Sequence, residues 1–260
     1  MLIALGQTTP GEDIAMNLAQ LAQQAHDAKA AGAELIIFPE FSMYCKKKVD
    51  ASFAQIAQPL NGEFASAVSN LARELMIAVV VGLVEEHGAG KQPYNTLAAF
   101  DRGGSLVCHY RKIHLFDAYG FEESEYITTG ETGQVPVFEV SGIKFGLQTC
   151  YDLRFPEISR RLSANGVEVL IVSAAWVPGL NKVNHWVTLA TARAIENTAY
   201  TIAVSQGEPI STGSSLAVDP DGNVLAQAGG SAQVLTVEIN LEKVFETRQR
   251  DPNLVSRRLP

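Results

Sequence analysis

Alternating strand and helix patterns open the chain. Short apolar runs typical of buried strands are separated by apolar positions that recur every three or four residues, the spacing of one helix face. The runs that predict strands are 2–6, 34–38 and 77–83, and the stripes that predict helices are 14–28 and 64–75. Gly32 and Pro39 end two of these segments. The first third of the chain is therefore predicted to consist of β–α–β units.

Hairpins follow in the middle of the chain. Two pairs of predicted strands enclose residues typical of tight turns, and these pairs are 95–100 with 105–110 and 137–140 with 143–149. The segment 111–135 lies between the pairs and shows no sustained period. Because a loop of this length inside a compact domain is usually functional, we expect chemistry there.

The remainder of the chain returns to helices and strands. The predicted elements are a helix near 158–162, a strand at 169–173, a helix at 185–198, a strand at 200–205 and a meander of 216–218, 224–226 and 234–239. Parallel units at both ends with hairpins between them favour two mixed sheets packed face to face between helix layers. We expect an α/β fold, a four-layer α-β-β-α sandwich, formed by one domain spanning 1–260. The Arg-rich tail, 244–260, lacks a strong period and is expected to pack on a partner subunit.

Composition and charge narrow the range of partners. The chain has 260 residues and a net charge of −8, so no basic field attracts a nucleic-acid backbone. Its longest apolar stretch, 77–84, is far shorter than the roughly 20 residues that a membrane crossing needs. The amino end resembles a strand and not a signal peptide, which favours a cytoplasmic location. Charged residues make up only 18% of the chain, which indicates extensive covered surface and a homodimer or higher oligomer.

Three residues that can do chemistry together follow predicted strands. Glu40, Lys112 and Cys150 each stand at such an end, where α/β proteins gather functional side chains. A thiol attacks as its thiolate, so it needs a base, which a carboxylate supplies, and an ammonium can stabilise the resulting oxyanion. The backbone N–H of Tyr151 could be a second oxyanion donor. Spacing alone also permits an inert buried thiol, a solvated carboxylate and a surface ammonium.

The local sequences around these residues carry a resemblance. The segments 38–40, 110–117 and 150–157 read Phe-Pro-Glu, Tyr-Arg-Lys-Ile-His-Leu-Phe-Asp and Cys-Tyr-Asp-Leu-Arg-Phe-Pro-Glu. Together they resemble the carbon-nitrogen hydrolase, or nitrilase, superfamily. The resemblance implies a triad of Glu40 as general base, Lys112 as oxyanion stabiliser and Cys150 as nucleophile. It also implies a second glutamate in the following loop, and Glu123 fits the spacing better than Glu122. The same family implies a sandwich that pairs into a dimer and works without a metal or cofactor.

The flanks of the cysteine resemble one branch of that superfamily. The run 150–155 is similar to ω-amidases and deaminated glutathione amidases, whereas nitrilases proper tend to carry Trp-Glu after the cysteine. The resemblance implies hydrolysis of a small linear amide that carries a carboxylate, so a cation is expected near the pocket. The candidate cations are Arg154, Lys182 and the lysines of 46–48. The side chains of Tyr44, Tyr151 and Trp176 are predicted to bind substrate.

Other readings remain open. A carbamoylase or a simple aliphatic amidase would use the same triad, and a catalytically silent member would serve as a scaffold. His109, His114 and His185 could belong to a Cys-His hydrolase or a metal site. The cysteines Cys45 and Cys108 are expected to be non-catalytic, and three widely spaced cysteines argue against a disulfide framework.

Overall fold

Two six-stranded sheets form the centre of the molecule. The computed structural model describes residues 1–258. The strands are β1 (Leu2–Gln7), β2 (Leu35–Ile37), β3 (Ala78–Glu85), β4 (Tyr94–Phe100), β5 (Leu106–Arg111), β6 (Val137–Val140), β7 (Ile143–Thr149), β8 (Val169–Ala174), β9 (Tyr200–Ser205), β10 (Leu216–Val218), β11 (Val224–Gln227) and β12 (Gln233–Glu238). The helices are α1 (Ile14–Ala30), α2 (Ser52–Ile56), α3 (Glu63–Leu75), α4 (Pro156–Ala164), α5 (Lys182–Asn197), α6 (Leu241–Arg250) and α7 (Asn253–Ser256).

Each sheet has a parallel centre and antiparallel edges. The first sheet has the order β12-β1-β2-β3-β4-β5, and the second has the order β11-β10-β9-β8-β7-β6. Strands β1, β2 and β3 run parallel, as do β7, β8 and β9, while hairpin partners and returning strands pair antiparallel outside them. Helices connect the parallel strands, because a chain that must return to start a parallel neighbour needs a crossover. The predicted mixed sheets are confirmed.

Alternation along the strands separates the inner core from the outer cores. In β2, Leu35 and Ile37 face the second sheet, whereas Ile36 packs under the helices of the first sheet. The inner core joins the facing sides of both sheets, and α5 covers the far side of the second sheet with Trp186 fully buried. Because both faces of each central strand are covered, these strands read as continuous apolar runs. The predicted four-layer α-β-β-α sandwich is confirmed.

The carboxyl-terminal segment contains a helix that its sequence did not predict. Helix α6 lies on its own chain: Val244 is fully buried in the inner core, and the Arg248 guanidinium donates to the carbonyl oxygens of Val167 and Thr198. Helix α6 therefore packs on its own chain, and packing of the tail on a partner subunit stays a prediction. The buried side chains of α6 are Val244 and Thr247, too few to give the sequence a visible helical stripe. The end of the predicted tail, 259–260, lies outside the described residues.

Three expectations concern the surroundings of the chain. Across residues 1–258, no helix combines the length and the apolar character needed to cross a membrane. Pairing of two copies stays a prediction. The cytoplasmic location also stays a prediction.

Gly82 on β3 supports the turn that follows β2. Its carbonyl oxygen accepts from the N–H of Met43, and its own N–H donates to the carbonyl of Pro39. A Cβ atom at this position would lie 2.6 Å from the Phe41 nitrogen and 2.7 Å from the Glu40 Cα. Only glycine lets the strand approach this closely.

We expect Gly82→Ala to lower the free energy of unfolding by about 1–3 kcal/mol, because the added methyl must displace backbone that cannot yield. Denaturant unfolding measures this change. Gly133→Ala is the matched control, since a Cβ at Gly133 meets nothing within 4 Å. Equal stability of the two variants would contradict the proposed close packing at Gly82.

Candidate active site

Four side chains predicted for the site converge between the two sheets. Glu40 lies in the turn after β2, Lys112 follows β5, Cys150 follows β7, and Glu123 begins a short 3₁₀ turn, Glu123–Glu125. All four are buried, with exposed fractions of 1%, 2%, 7% and 5% in that order. The structure therefore brings together residues that are up to 110 positions apart in the chain, counted from 40 to 150.

Cys150 stands on a sharp bend between strand and helix. Its φ is +48°, in the left-handed region that side-chain-bearing residues seldom adopt, and a 3₁₀ turn over Cys150–Arg154 follows at once. The Asp152 carboxylate fixes this bend by accepting from the Thr149 N–H at 3.0 Å. The same carboxylate accepts from the Tyr110 hydroxyl at 2.7 Å, and from the His114 N–H at 3.2 Å. Asp152 thus ties the bend to the segment that carries Lys112.

The Lys112 ammonium lies between two carboxylates. It donates to Glu40 Oε1 and to Glu123 Oε2, each at 2.8 Å. The side-chain amide of Asn95 donates to the same pair, at 2.7 Å to Glu40 Oε1 and 3.0 Å to Glu123 Oε1. A buried ammonium with two hydrogen-bonded carboxylates is held in one position, because its stem cannot rotate without breaking both ion pairs.

The backbone holds the two carboxylates as well. Glu40 Oε2 accepts from the N–H of Ala175 at 2.7 Å, and Glu123 Oε2 accepts from the N–H of Phe116 at 2.7 Å. Each carboxylate therefore has partners on more than one element.

Burial and neighbouring charge set the protonation of the thiol and the ammonium. Burial raises the pKa of the Cys150 thiol well above its ordinary value, and the nearby Glu40 carboxylate raises it further, while Lys112 acts in the opposite direction. Burial acts to lower the pKa of Lys112, but the carboxylates of Glu123 and Glu40 outweigh it and hold the pKa well above its ordinary value. The resting site therefore holds a protonated thiol beside an ammonium and a carboxylate.

A cavity of about 330 Å³ opens over these groups. Its walls include Glu40, Lys112, Glu123 and Cys150. The rest of the wall is formed by the segments 45–50, 120–123 and 125–126 and by Phe41, Phe116, Ala175, Val177 and Ile210. A small extension beside Cys150 is lined by Phe116, Tyr151, Trp176, Val177 and Lys182. A nucleophile, a base and a cation on one wall are the arrangement that acyl transfer requires.

The comparison with protein families decides the assignment. The model of the family described as "Carbon-nitrogen hydrolase" matches residues 2–249. The chain belongs to the carbon-nitrogen hydrolase family.

Relatives of this carbon-nitrogen hydrolase carry amidase names. It is 36% identical to a hydrolase of Mycobacterium tuberculosis, with 96% of this chain and 93% of that protein covered. It is 34% identical to the deaminated glutathione amidase of Escherichia coli O157:H7, with 99% of this chain and 97% of that protein covered. It is 33% identical to the omega-amidase NIT2 of Xenopus tropicalis, covering 91% and 87%. The resemblance to this branch of the nitrilase superfamily is confirmed.

Solved structures share the same fold. Nit3 of Saccharomyces cerevisiae, a member of the nitrilase superfamily, superposes with a TM-score of 0.86 at 27% identity, covering 97% of this chain and 94% of that one. An amidase of Nesterenkonia sp. AN1 gives a TM-score of 0.83 at 27% identity, covering 96% and 97%. That structure is a glutamate-to-glutamine variant with acrylamide added at the active-site cysteine.

The four predicted substrate-binding residues divide into two pairs. Tyr151 and Trp176 line the small extension beside Cys150. Tyr44 is absent from the described walls of both spaces, because its ring packs on Phe53. Arg154 is absent as well, and its guanidinium carbon lies 5.4 Å from the centre of the Trp176 ring.

The histidines lie away from the cavity walls. His114 Nδ1 is 2.8 Å from Asp152 Oδ1, and its ring stacks on Phe155 at 3.7 Å. His185 Nδ1 is 3.3 Å from the Arg154 guanidinium. None of the described wall residues is a histidine, so the structure gives no geometric support to a Cys-His pair.

Sequence reasoning missed Asn95 and Asp152. Asn95 opens a buried strand, where a fully buried amide needs polar partners, and this was the available signal. Asp152 lies two residues after the nucleophile candidate at a helix start, where a carboxylate commonly caps. Cys45 lies in the cavity wall, with its thiol 3.2 Å from Gln206 Oε1, and burial raises its pKa to about 12. That thiol is therefore protonated and a weak nucleophile.

Proposed function

We propose that this carbon-nitrogen hydrolase cleaves a small linear amide through a thioester on Cys150 and releases ammonia. The observation that carries the proposal is the Lys112 ammonium held at 2.8 Å from both Glu40 and Glu123 in the wall that also contains Cys150. A scaffold protein has no use for three buried charges around a buried thiol, because each charge costs free energy to desolvate.

The first half-reaction forms the thioester. Glu40 takes the thiol proton as sulfur attacks the amide carbonyl carbon, and the carbonyl π electrons move to oxygen. The Lys112 ammonium and the N–H of Tyr151 stabilise the oxyanion. Glu40 then gives its proton to the leaving nitrogen, the C–N bond breaks, and ammonia departs. Because the resting thiol is protonated, attack must be coupled to this proton transfer.

The second half-reaction regenerates the enzyme. Glu40 takes a proton from water, and the hydroxyl oxygen attacks the thioester carbonyl. The tetrahedral intermediate collapses with breakage of the C–S bond, and the proton on Glu40 returns to the sulfur. Glu123 accepts a hydrogen bond from Lys112, and Asn95 donates one to Glu40, so these two residues keep the ammonium and the base in place throughout.

The substrate class follows from the relatives and the cations of the site. We propose a small linear amide with a carboxylate at its other end, because the named relatives are a deaminated glutathione amidase and an omega-amidase. Lysines at 46, 47 and 48 line the outer cavity, and Lys182 lines the extension. A short neutral amide is the second candidate, since acrylamide reaches the active-site cysteine of the Nesterenkonia amidase.

A panel of amides tests the proposal. We expect ammonia release from succinamate and glutaramate at rates well above those from N-carbamoyl amino acids and short neutral amides. EDTA is expected to leave the rate unchanged. Intact-mass measurement during turnover should show the acyl group added to the protein. Faster ammonia release from N-carbamoyl amino acids or butanamide than from the acidic amides would contradict the proposed substrate class. Loss of activity with EDTA would contradict the metal-free mechanism.

A further inference from the structure

Lys182 is a buried cation without a counter-charge. Only 6% of the residue is exposed, and no carboxylate among residues 1–258 lies within ion-pair distance of its ammonium. No described side chain or carbonyl accepts a hydrogen bond from it either, in contrast to Lys112. Burying an unpaired ammonium costs free energy of desolvation, so we expect a buried lysine of this kind to have a binding role.

Three aromatic rings surround this ammonium. It lies 5.0 Å from the ring centres of Phe116 and Tyr119 and 4.7 Å from that of Trp176. The Trp176 ring is itself fixed, because its indole N–H donates to the Lys182 carbonyl oxygen at 2.8 Å. Such contacts stabilise the cation without neutralising it. The positive charge therefore remains available to an anion.

The open side of this ammonium leads to the nucleophile candidate. The small extension of the cavity is lined by both Lys182 and Cys150, together with Phe116, Tyr151 and Trp176. Burial lowers the pKa of Lys182, and a bound anion would oppose that shift. The extension holds only about 10 Å³, so a substrate whose amide carbon lies at Cys150 meets the ammonium where this space opens beside the cysteine.

The other cations at the cavity have partners or face water. Lys46 forms an ion pair with Asp50 at 2.6 Å, and Lys48 donates to the Gly120 carbonyl at 2.8 Å. Lys47 is exposed at the rim, where water screens its charge. Arg154 is absent from the described walls. Of the candidate cations, Lys182 is the one both buried and unpaired beside Cys150.

We propose that Lys182 binds the distal carboxylate of the substrate where the extension opens beside Cys150. This rests on the proposed amidase function and assigns the specificity of the same site. The carboxylate would complete a charge pair that the folded chain leaves open, and the surrounding rings would exclude water from it. The preference of the enzyme for an acidic amide over its neutral analogue would then depend on Lys182.

The experiment compares two pairs of amides on Lys182→Met. Succinamate and glutaramate carry the carboxylate, and butanamide and pentanamide are their neutral analogues. We expect kcat/KM for the acids to fall by about 10- to 100-fold, since a charged hydrogen bond contributes roughly 1.5–3 kcal/mol, whereas kcat/KM for the neutral amides changes less than about 3-fold. Lys182→Arg should recover part of the loss for the acids. Lys91→Met is the matched control and should retain the preference, since Lys91 is exposed and lies in neither described wall.

Several outcomes would overturn the assignment. Equal losses on acid and neutral amides would mean that Lys182 supports the fold of the site, and a selective loss in Lys47→Met would move the subsite to the rim. A second measurement separates this inference from the proposed function. Binding of succinate to Cys150→Ala protein, followed by calorimetry, should weaken about 10-fold or more when Lys182→Met is added. That measurement holds whether or not the wild-type chain releases ammonia, and unchanged succinate binding would refute the inference.

Discussion

Cys150→Ala is expected to lower ammonia release by at least about 10⁴-fold, because it removes the atom that forms the proposed thioester. The residual rate should reflect only oxyanion stabilisation and substrate binding by the groups that remain. Release of ammonia from glutaramate, measured by a coupled assay, gives the ratio. Intact mass should show no acyl adduct on the variant.

The control is a second cysteine of similar chemistry. Cys108 lies on β5, is half-buried, and belongs to neither the cavity wall nor the extension. Cys108→Ala should therefore retain full activity and the mass of the acyl intermediate. Thermal melting of both variants should stay near the wild type, because alanine fills most of each small site. A Cys150→Ala protein that still releases ammonia would refute the covalent mechanism.

Glu40→Gln is expected to reduce kcat by about 10²- to 10⁴-fold, because a neutral amide cannot accept the thiol proton. The structure adds a second effect of opposite sign on the thiol. The Glu40 carboxylate raises the pKa of Cys150, so its replacement lowers that pKa and increases the thiolate at a given pH. The pH profile of alkylation by iodoacetamide should therefore shift to lower pH while ammonia release falls.

These two readouts report different properties of Glu40. The fall in kcat reports the loss of the proposed base, and the shift of the alkylation profile reports removal of the carboxylate charge from beside the thiol. Glu86→Gln is the control, since Glu86 is exposed just after β3 and should change neither measurement. An unchanged kcat in Glu40→Gln would remove Glu40 from its proposed role as base.

The periodicity of the chain predicted most of the framework. Continuous apolar runs located the central strands, because strands covered on both faces have no polar side. The runs at 34–38 and 143–149 also located Glu40 and Cys150 at strand ends, although β2 stops at Ile37 and Glu40 lies in the turn beyond. Helices α2 and α6 were missed, since each buries too few side chains to produce a stripe.

Contacts between segments far apart in the chain could not be predicted from the sequence. Asn95 reaches both Glu40 and Glu123, but a polar residue at a strand start does not reveal what it faces. Tyr44 was expected at the pocket because it follows Glu40 closely in the chain. The chain turns after Glu40, with Phe41 at a φ of +55°, and the Tyr44 hydroxyl instead lies 3.0 Å from Ser52 Oγ. The next residue, Cys45, does line the cavity, so nearness in sequence did not show which side chain of this turn faces the site.

The site is also the seam of the sandwich. Glu40 and Lys112 follow strands of the first sheet, and Cys150 follows a strand of the second. Two hydrogen bonds join the sheets here: the Ala175 N–H donates to the Glu40 carboxylate, and the Ser173 hydroxyl donates to the Phe38 carbonyl oxygen. Neither half of the chain holds the complete set of reacting groups. If one sheet slid over the other, the distance between Glu40 and Cys150 would increase while each sheet remained folded. Activity in this molecule therefore reports the docking of two halves, and not only the integrity of each.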